Sequence, residues 1–334
     1  LTTGLQHWPI FGHDWAVEHL HKSLINGRVR HAYLIVGAES VGKETLALSF
    51  AMALNCLHED AAARPCGECR SCRKIVSGSH PDMLFSQQDA NTGALKIEEV
   101  RSVAGKLSLK PFEARYRIAI FRNFDRAQPR VQDTLLKTLE EPPPYAILML
   151  LAPSIEPILP TITSRSQVLF LRPTSAEAVY EVLRTHYQAD DQTAWLLARL
   201  SGGRIGWTLQ ALNNPDMLAQ RTAALDLLES TLGKNRAGRF DLAEDLSKDK
   251  ASLMPLLELW QTYWRDLLLL TENSGLEPAN TDRADTLRKL ASRVTPEKAL
   301  TALNATSAMI GHLATNANVR LALEVMFLDY PGLS

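Results

Sequence analysis

The sequence predicts an α/β domain with a mostly parallel sheet covered by helices, carrying a metal-binding excursion, followed by a small helical lid and an all-α C-terminal domain. Three observations predict it. Short apolar runs alternate with helical stretches over residues 1–172. A glycine-rich loop joins one of those runs to a helix. Beyond about residue 173 the strand signals stop and helical patterns take over.

His31 to Val36 is a short apolar run that reads as a buried strand, Ala32–Val36. Gly37-Ala38-Glu39-Ser40-Val41-Gly42-Lys43 follows with G-x-x-x-x-G-K spacing, and Thr45 to Leu54 continues as an apolar helix. Strand, loop and helix in that order are the setting of a phosphate-binding loop; a plain turn with two glycines is the alternative. In a working loop, backbone N–H groups cradle the phosphates, the Lys reaches the β/γ oxygens and the next hydroxyl holds Mg²⁺. Here Glu44 stands at the hydroxyl's place, where a carboxylate repels a triphosphate. Gly37, Gly42, Lys43, Glu44 and Thr45 are therefore candidates for a vestigial nucleotide site. ATP binding without turnover stays open, since the loop N–H groups and Lys43 favour it and Glu44 opposes it.

All four cysteines fall after that helix, as Cys56-x9-Cys66-x2-Cys69-x2-Cys72. Such spacing turns neighbouring sulfurs onto one tetrahedral centre, with Pro65 and Gly67 shaping the turn, so structural Zn²⁺ is expected on all four. An iron–sulfur cluster is the alternative, and His58 can stand in for Cys56. Arg64, Arg70, Arg73 and Lys74 surround the excursion, either as a nucleic-acid-binding surface or as positive charge offsetting a doubly negative centre.

Met83–Ser86 is the next strand, Ile97 to Leu107 a helix, and Arg117–Phe121 a third strand. In phosphate-loop ATPases a neighbouring strand ends in carboxylates that hold magnesium and polarise water. This one ends in Arg122-Asn123, and an Arg neither ligates a metal nor acts as a base at neutral pH. Asp125 lies two or three positions late; a cap for the following helix explains it better than catalysis. A helix from Arg130 to Glu141, with Lys137 either solvated or touching DNA phosphate, is stopped by Pro142-Pro143-Pro144. Strands at Ile147–Leu151 and Gln167–Leu171 complete the sheet.

Thr174 or Ser175 caps the first lid helix, with Glu177 and Glu181 in its early turns, and Asn213-Asn214-Pro215 is a hinge. Leu256, Trp260, Trp264, Leu267 and Leu268 then recur at helical spacing with Pro255 near the start, a buried core stripe. Ser274-Gly275 ends that helix and Pro278 to Asp282 forms a loop.

A chain of 334 residues is roughly two to three domains. The net charge of −1 excludes a global positive field for autonomous nucleic-acid binding. No apolar stretch is long enough to span a bilayer, and cysteines confined to one excursion are not a secreted disulfide framework, so a cytoplasmic setting is expected.

Leu135-Leu136-Lys137-Thr138-Leu139-Glu140-Glu141-Pro142-Pro143 resembles the box shared by bacterial clamp-loader subunits of the AAA+ class. Phe11-Gly12-His13-Asp14, His31-Ala32-Tyr33-Leu34, the four-cysteine excursion, His80-Pro81-Asp82 and Thr163-Ser164-Arg165-Ser166 are similar to the same family. So is Asn316-x-Asn318-x-x-Leu321-x-Leu323-Glu324. The missing carboxylates make the delta-prime group of the DNA polymerase III clamp loader the best match. One departure is Ser166, where the family has Cys.

The resemblance implies an AAA+ domain over 1–172 with its Cys module at 56–72, a lid over 173–214, and a collar that holds an oligomer over 215–334. It implies that Arg165 is an arginine finger, acting in trans on ATP held by a neighbouring subunit, within the DNA polymerase III holoenzyme. Own ATPase activity is expected to be absent. The implied partners are the ATPase motor and delta subunits in a hetero-pentamer-like ring, the sliding clamp, and primed DNA through the assembly. Motor subunits also place an Arg after a Gly at the start of a lid helix to sense nucleotide. Gly206 seats at that place here, with Arg204 two residues early on a different face. The alternative is an active ATPase using Lys43 and Asp125 with a displaced metal ligand, Thr45.

Overall fold

The computed structural model describes residues 8–89, 93–313 and 318–332, with the backbone alone at Ala251. Asn316 of the C-terminal motif lies outside the described residues. The chain divides into two compact units, residues 1–182 with 203–207, and residues 183–202 with 208–334.

The first unit is built on a five-stranded sheet of β1 (Ala32–Val36), β2 (Met83–Phe85), β3 (Arg117–Phe121), β4 (Ala146–Ala152) and β5 (Gln167–Phe170). The order is β2-β3-β4-β1-β5 and every neighbouring pair is parallel. Inner strand β1 pairs Ile35 with Leu151 on one side and Leu34 with Val168 on the other. Its five residues are all buried because both faces of the sheet are covered, which is why the run is apolar without alternation. Side chains still alternate. Tyr33, Ile35, Ile118, Ile120 and Met149 join one core with α1 (Asp14–Ile25) and α2 (Lys43–Asn55). Leu34, Val36, Ala119, Leu148 and Leu150 join the other with α4 (Ile97–Leu107), beyond the short α3 (Arg70–Val76) of the Cys excursion.

The expected helix from Arg130 to Glu141 is instead broken into α5 (Pro129–Gln132), one 3₁₀ turn and α6 (Leu136–Glu140). Buried Gln132 sits at the break, its amide donating to the carbonyls of Ala127 and Pro157 and accepting from the Leu159 N–H. After α7 (Pro160–Thr163) and β5, helix α8 (Ala176–Tyr187) starts at a cap made by Ser175, whose hydroxyl accepts the Ala178 N–H at 3.2 Å.

The second unit is helical: α9 (Asp191–Leu200), most of α10 (Ile205–Asn213), α11 (Pro215–Leu232), α12 (Arg236–Ser247), α13 (Lys250–Thr271), α14 (Ala284–Ala291), α15 (Pro296–Leu313) and α16 (Val319–Leu328). Trp260, Tyr263, Trp264, Phe327 and Tyr330 form its core, with Trp264 and Tyr330 edge-to-face at 4.9 Å. The stripe read as a core from its spacing is therefore buried. Pro255 lies inside α13 rather than in its first turn, the helix having begun at Lys250. The loop before α14 is tied down by the Asp266 carboxylate, which accepts both the backbone and the side-chain N–H of Asn280 at 2.7 Å. No helix of the described residues is long and apolar enough to cross a membrane.

Candidate functional site

The glycine loop leaves β1 at Gly37 and enters α2 at Lys43. Gly37 has no room for a side chain, since a Cβ there would lie 2.3 Å from the Leu171 carbonyl. The loop is occupied by its own residues. Lys43 folds back so that its ammonium donates to the Gly37 carbonyl at 2.5 Å and the Ala38 carbonyl at 2.8 Å. Burial pushes its pKa down, while Glu39 and Asp125 pull it back up.

Glu44 and Arg122 meet. The Arg122 Nε donates to Glu44 Oε1 at 2.9 Å and Nη2 pairs with the same oxygen. The two residues that the sequence marks separately as wrong for magnesium are thus one ion pair. Phe85 supports it from below, its ring centroid 5.0 Å from the guanidinium carbon. Asn123 has a backbone explanation: at φ 45° it occupies the left-handed region, which Asn tolerates, and turns the chain out of β3.

Asp125 does not cap the next helix. It lies inside a 3₁₀ turn, Phe124–Arg126, while Gln128 stands before α5. Its buried Oδ1 has no hydrogen-bond partner among the described residues. Burial raises its pKa, against the opposing pull of Arg126 and Lys43. Thr45 is exposed on the first turn of α2.

The start of α10, which belongs with the first unit, closes on the loop. The Gly206 N–H donates to the Ser40 carbonyl at 2.8 Å, and a Cβ at Gly206 would lie 2.7 Å from that oxygen. A long side chain at this position is excluded by the loop's own backbone. Arg204 points elsewhere, its guanidinium 6.0 Å from the centre of the Trp207 ring.

Arg165 sits on the turn between α7 and β5. It pairs with Glu140 through Nη2 at 2.9 Å and donates from Nη1 to the Thr161 carbonyl at 3.1 Å and the Ser164 hydroxyl at 3.4 Å. None of these partners belongs to the phosphate loop.

The four cysteines converge. The sulfurs of Cys56, Cys66, Cys69 and Cys72 all lie within 4.8 Å of one another, which fits a tetrahedral Zn–S₄ centre whose sulfurs stand ~3.8 Å apart. Backbone N–H groups of Leu57, His58, Cys66, Cys69 and Cys72 point at sulfurs from 3.3 to 3.5 Å, favouring thiolates. Burial pushes the Cys69 thiol up, but the N–H groups of Leu57 and Cys72 outweigh it and hold the thiol at about 6. Burial pushes Cys56 and Cys72 up. His58 instead shares its Nδ1 with the Asp60 carbonyl at 3.2 Å. Three of the four surrounding basic residues have local partners. Arg64 is buried and donates to the His58 and Glu59 carbonyls, while Arg70 and Lys74 both pair with Glu113.

Spacing alone missed two features: the Glu44–Arg122 pair and the carboxylate of Asp82. The latter is buried and accepts the N–H groups of Phe112, Glu113 and Ala114 at 2.7, 2.9 and 2.9 Å. The His-Pro-Asp string carried the signal for the second, since a buried Asp requires donors.

A family model described as "DNA polymerase III, delta subunit" matches residues 12–175. The delta' subunit of Bacillus subtilis is 25% identical over 313 residues, 92% of this chain and 93% of its own length. The delta' subunit of Pseudomonas aeruginosa is 28% identical over 245 residues, 72% of this chain and 73% of its own. The tau subunit of Bacillus subtilis is 26% identical over 289 residues, 80% of this chain; the chain spans about half of that relative, 51%. A solved gamma subunit-related protein of Thermotoga maritima covers 94% of this chain and 97% of its own at 17% identity, with a TM-score of 0.48. Two delta' relatives are thus matched over most of their own length, and the chain is similar throughout to delta' subunits of DNA polymerase III.

Proposed function

We propose that this subunit does not turn over ATP and instead serves as a fixed partner that lends Arg165 in trans to a neighbouring ATPase subunit while the sliding clamp is loaded onto primed DNA. The observation that carries the reading is the Glu44–Arg122 ion pair. Magnesium-dependent hydrolysis needs a hydroxyl at position 44 and a carboxylate at the end of β3 to hold the metal. A guanidinium bonded to a carboxylate offers neither.

Two further features support it. The close contact of Gly206 with Ser40 leaves no place for a nucleotide-sensing arginine. Arg165 is a permanently charged fork on an exposed turn, suited to the charge that develops on a transferring phosphoryl group. A collar role for the second unit is supported by α16, where Leu321, Val325 and Leu328 fall at i, i+4 and i+7 and are each more than half exposed. The cysteine module, on this reading, binds Zn²⁺ as a closed structural site.

The alternative, an ATPase using Lys43 with a displaced metal ligand, draws on Asp125, a buried carboxylate with an unbonded oxygen in the field of Lys43. Two measurements separate the readings. The isolated chain is expected to show no Mg²⁺-dependent ATPase activity, and Arg165→Ala is expected to lower DNA-stimulated turnover of the reconstituted clamp loader by about 10³-fold. Hydrolysis by the isolated chain that Lys43→Ala abolishes would establish the alternative.

A further inference from the structure

We propose that Glu140 is a positioning residue for Arg165, holding its guanidinium in the orientation in which it meets the neighbouring subunit's nucleotide. The inference rests on the in-trans reading of Arg165 given above. Glu140 is the last residue of α6, 25 positions before Arg165 in sequence, and reaches it only because α6 packs beside α7. The guanidinium is held from two sides: Glu140 Oε1 lies 2.9 Å from Nη2, and Nη1 donates to Thr161 O and Ser164 Oγ on its own turn. The backbone is fixed as well, with the Arg165 N–H donating to the Ile162 carbonyl at 3.1 Å. The Nε–H takes part in none of these contacts, and the side chain is 38% exposed.

Thr161 and Ser164 are sequence neighbours of Arg165, four and one positions before it, and so fix it only locally. Among the described partners, Glu140 is the one that lies outside the α7 segment and its turn, and it therefore sets the direction of the side chain. An arginine free in solvent must lose rotamer freedom when it engages a partner; one already held has lost it beforehand. An exposed ion pair adds little to fold stability, so the contact acts through orientation. It matters in the transition state, where the finger's charge counts most, and so affects turnover rather than nucleotide affinity.

The test is the reconstituted clamp loader carrying Glu140→Ala, Glu140→Gln, Arg165→Ala or Glu140→Ala with Arg165→Ala. The kcat and KM of DNA-stimulated ATP hydrolysis are measured for each, and assembly is checked by gel filtration. Glu140→Ala is expected to lower kcat by about two- to fivefold, the range set by the worth of an exposed pair, with KM for ATP unchanged. Glu140→Gln is expected to recover most of that loss, because its amide oxygen still accepts from the guanidinium. The double variant is expected to be no worse than Arg165→Ala, since Glu140 acts only through that side chain. Unchanged or raised kcat in Glu140→Ala, or multiplicative losses in the double variant, would overturn the positioning role while leaving the finger intact. Full turnover in Arg165→Ala would instead remove the in-trans reading, and the role of Glu140 with it.

Discussion

Replacing Asp82 with alanine is expected to unlock the turn that braces the cysteine module. The carboxylate is fully buried and accepts three backbone N–H groups, from Phe112 at 2.7 Å and from Glu113 and Ala114 at 2.9 Å. Glu113 in turn pairs with Arg70 and Lys74 on α3, so the carboxylate links β2 to the helix that carries Cys72. A hydrogen bond to a charged group is worth about 1.5–3 kcal/mol. Three on one carboxylate are not independent, and the half-buried donors regain some water once it is gone. The expected loss for Asp82→Ala is therefore about 3–5 kcal/mol, and about half that for Asp82→Asn, which keeps one acceptor oxygen. Urea denaturation followed by circular dichroism at pH 7 measures it. The pH dependence carries a sign. Burial pushes the Asp82 pKa up, but the N–H groups of Glu113, Phe112 and Ala114 outweigh it and hold it below the usual carboxylate range. A depressed folded pKa gives stability that is complete above the unfolded value near ~4 and is lost as pH falls through the folded one. The gap between wild type and Asp82→Ala should narrow as pH falls below about 4. A gap under about 1 kcal/mol at pH 7, or one unchanged down to about pH 3, would refute the reasoning.

Converting Glu44→Thr together with Arg122→Asp restores a hydroxyl and a carboxylate for magnesium. ATP affinity by calorimetry should become Mg²⁺-dependent and rise about tenfold or more, without turnover, and a metal-independent affinity would contradict this. Chelation of purified protein under reducing conditions should release about one Zn²⁺ per chain and lower the thermal midpoint of the first unit by about 5 °C or more; Cys72→Ala should purify without metal. Trp264→Ala, in the centre of the helical core, should cost about 3–5 kcal/mol in denaturant titration. Leu321→Asp with Val325→Asp should leave the circular dichroism spectrum intact yet abolish co-elution with the other clamp-loader subunits, because both side chains are exposed in the free chain.

The sheet was legible in the sequence because a parallel strand covered on both faces is an uninterrupted apolar run, and β1 and β3 begin and end where those runs do. The four-cysteine cluster was legible for a similar reason: short spacing leaves the sulfurs few places to go. Contacts made by long-range folding were not legible. Glu44 and Arg122 lie 78 residues apart, and their meeting depends on where β3 and β1 fall in the sheet order. Asn123 was read as a missing carboxylate when its identity answers to a left-handed backbone. The stretch from Arg130 to Glu141 has helical composition throughout, but buried Gln132 finds its partners outside the helix and breaks it. Pro255 sits later in its helix than a start signal should, because a helix can extend one turn ahead of a proline whose missing donor is near its N-terminus.

The bonded pair of Glu44 and Arg122 has one more consequence. The loop's acidic side chain is already balanced by a cation from within the chain, with no added ion. On the proposed reading, the ATPase cycles of neighbouring subunits would be timed against a vertex that keeps one shape throughout.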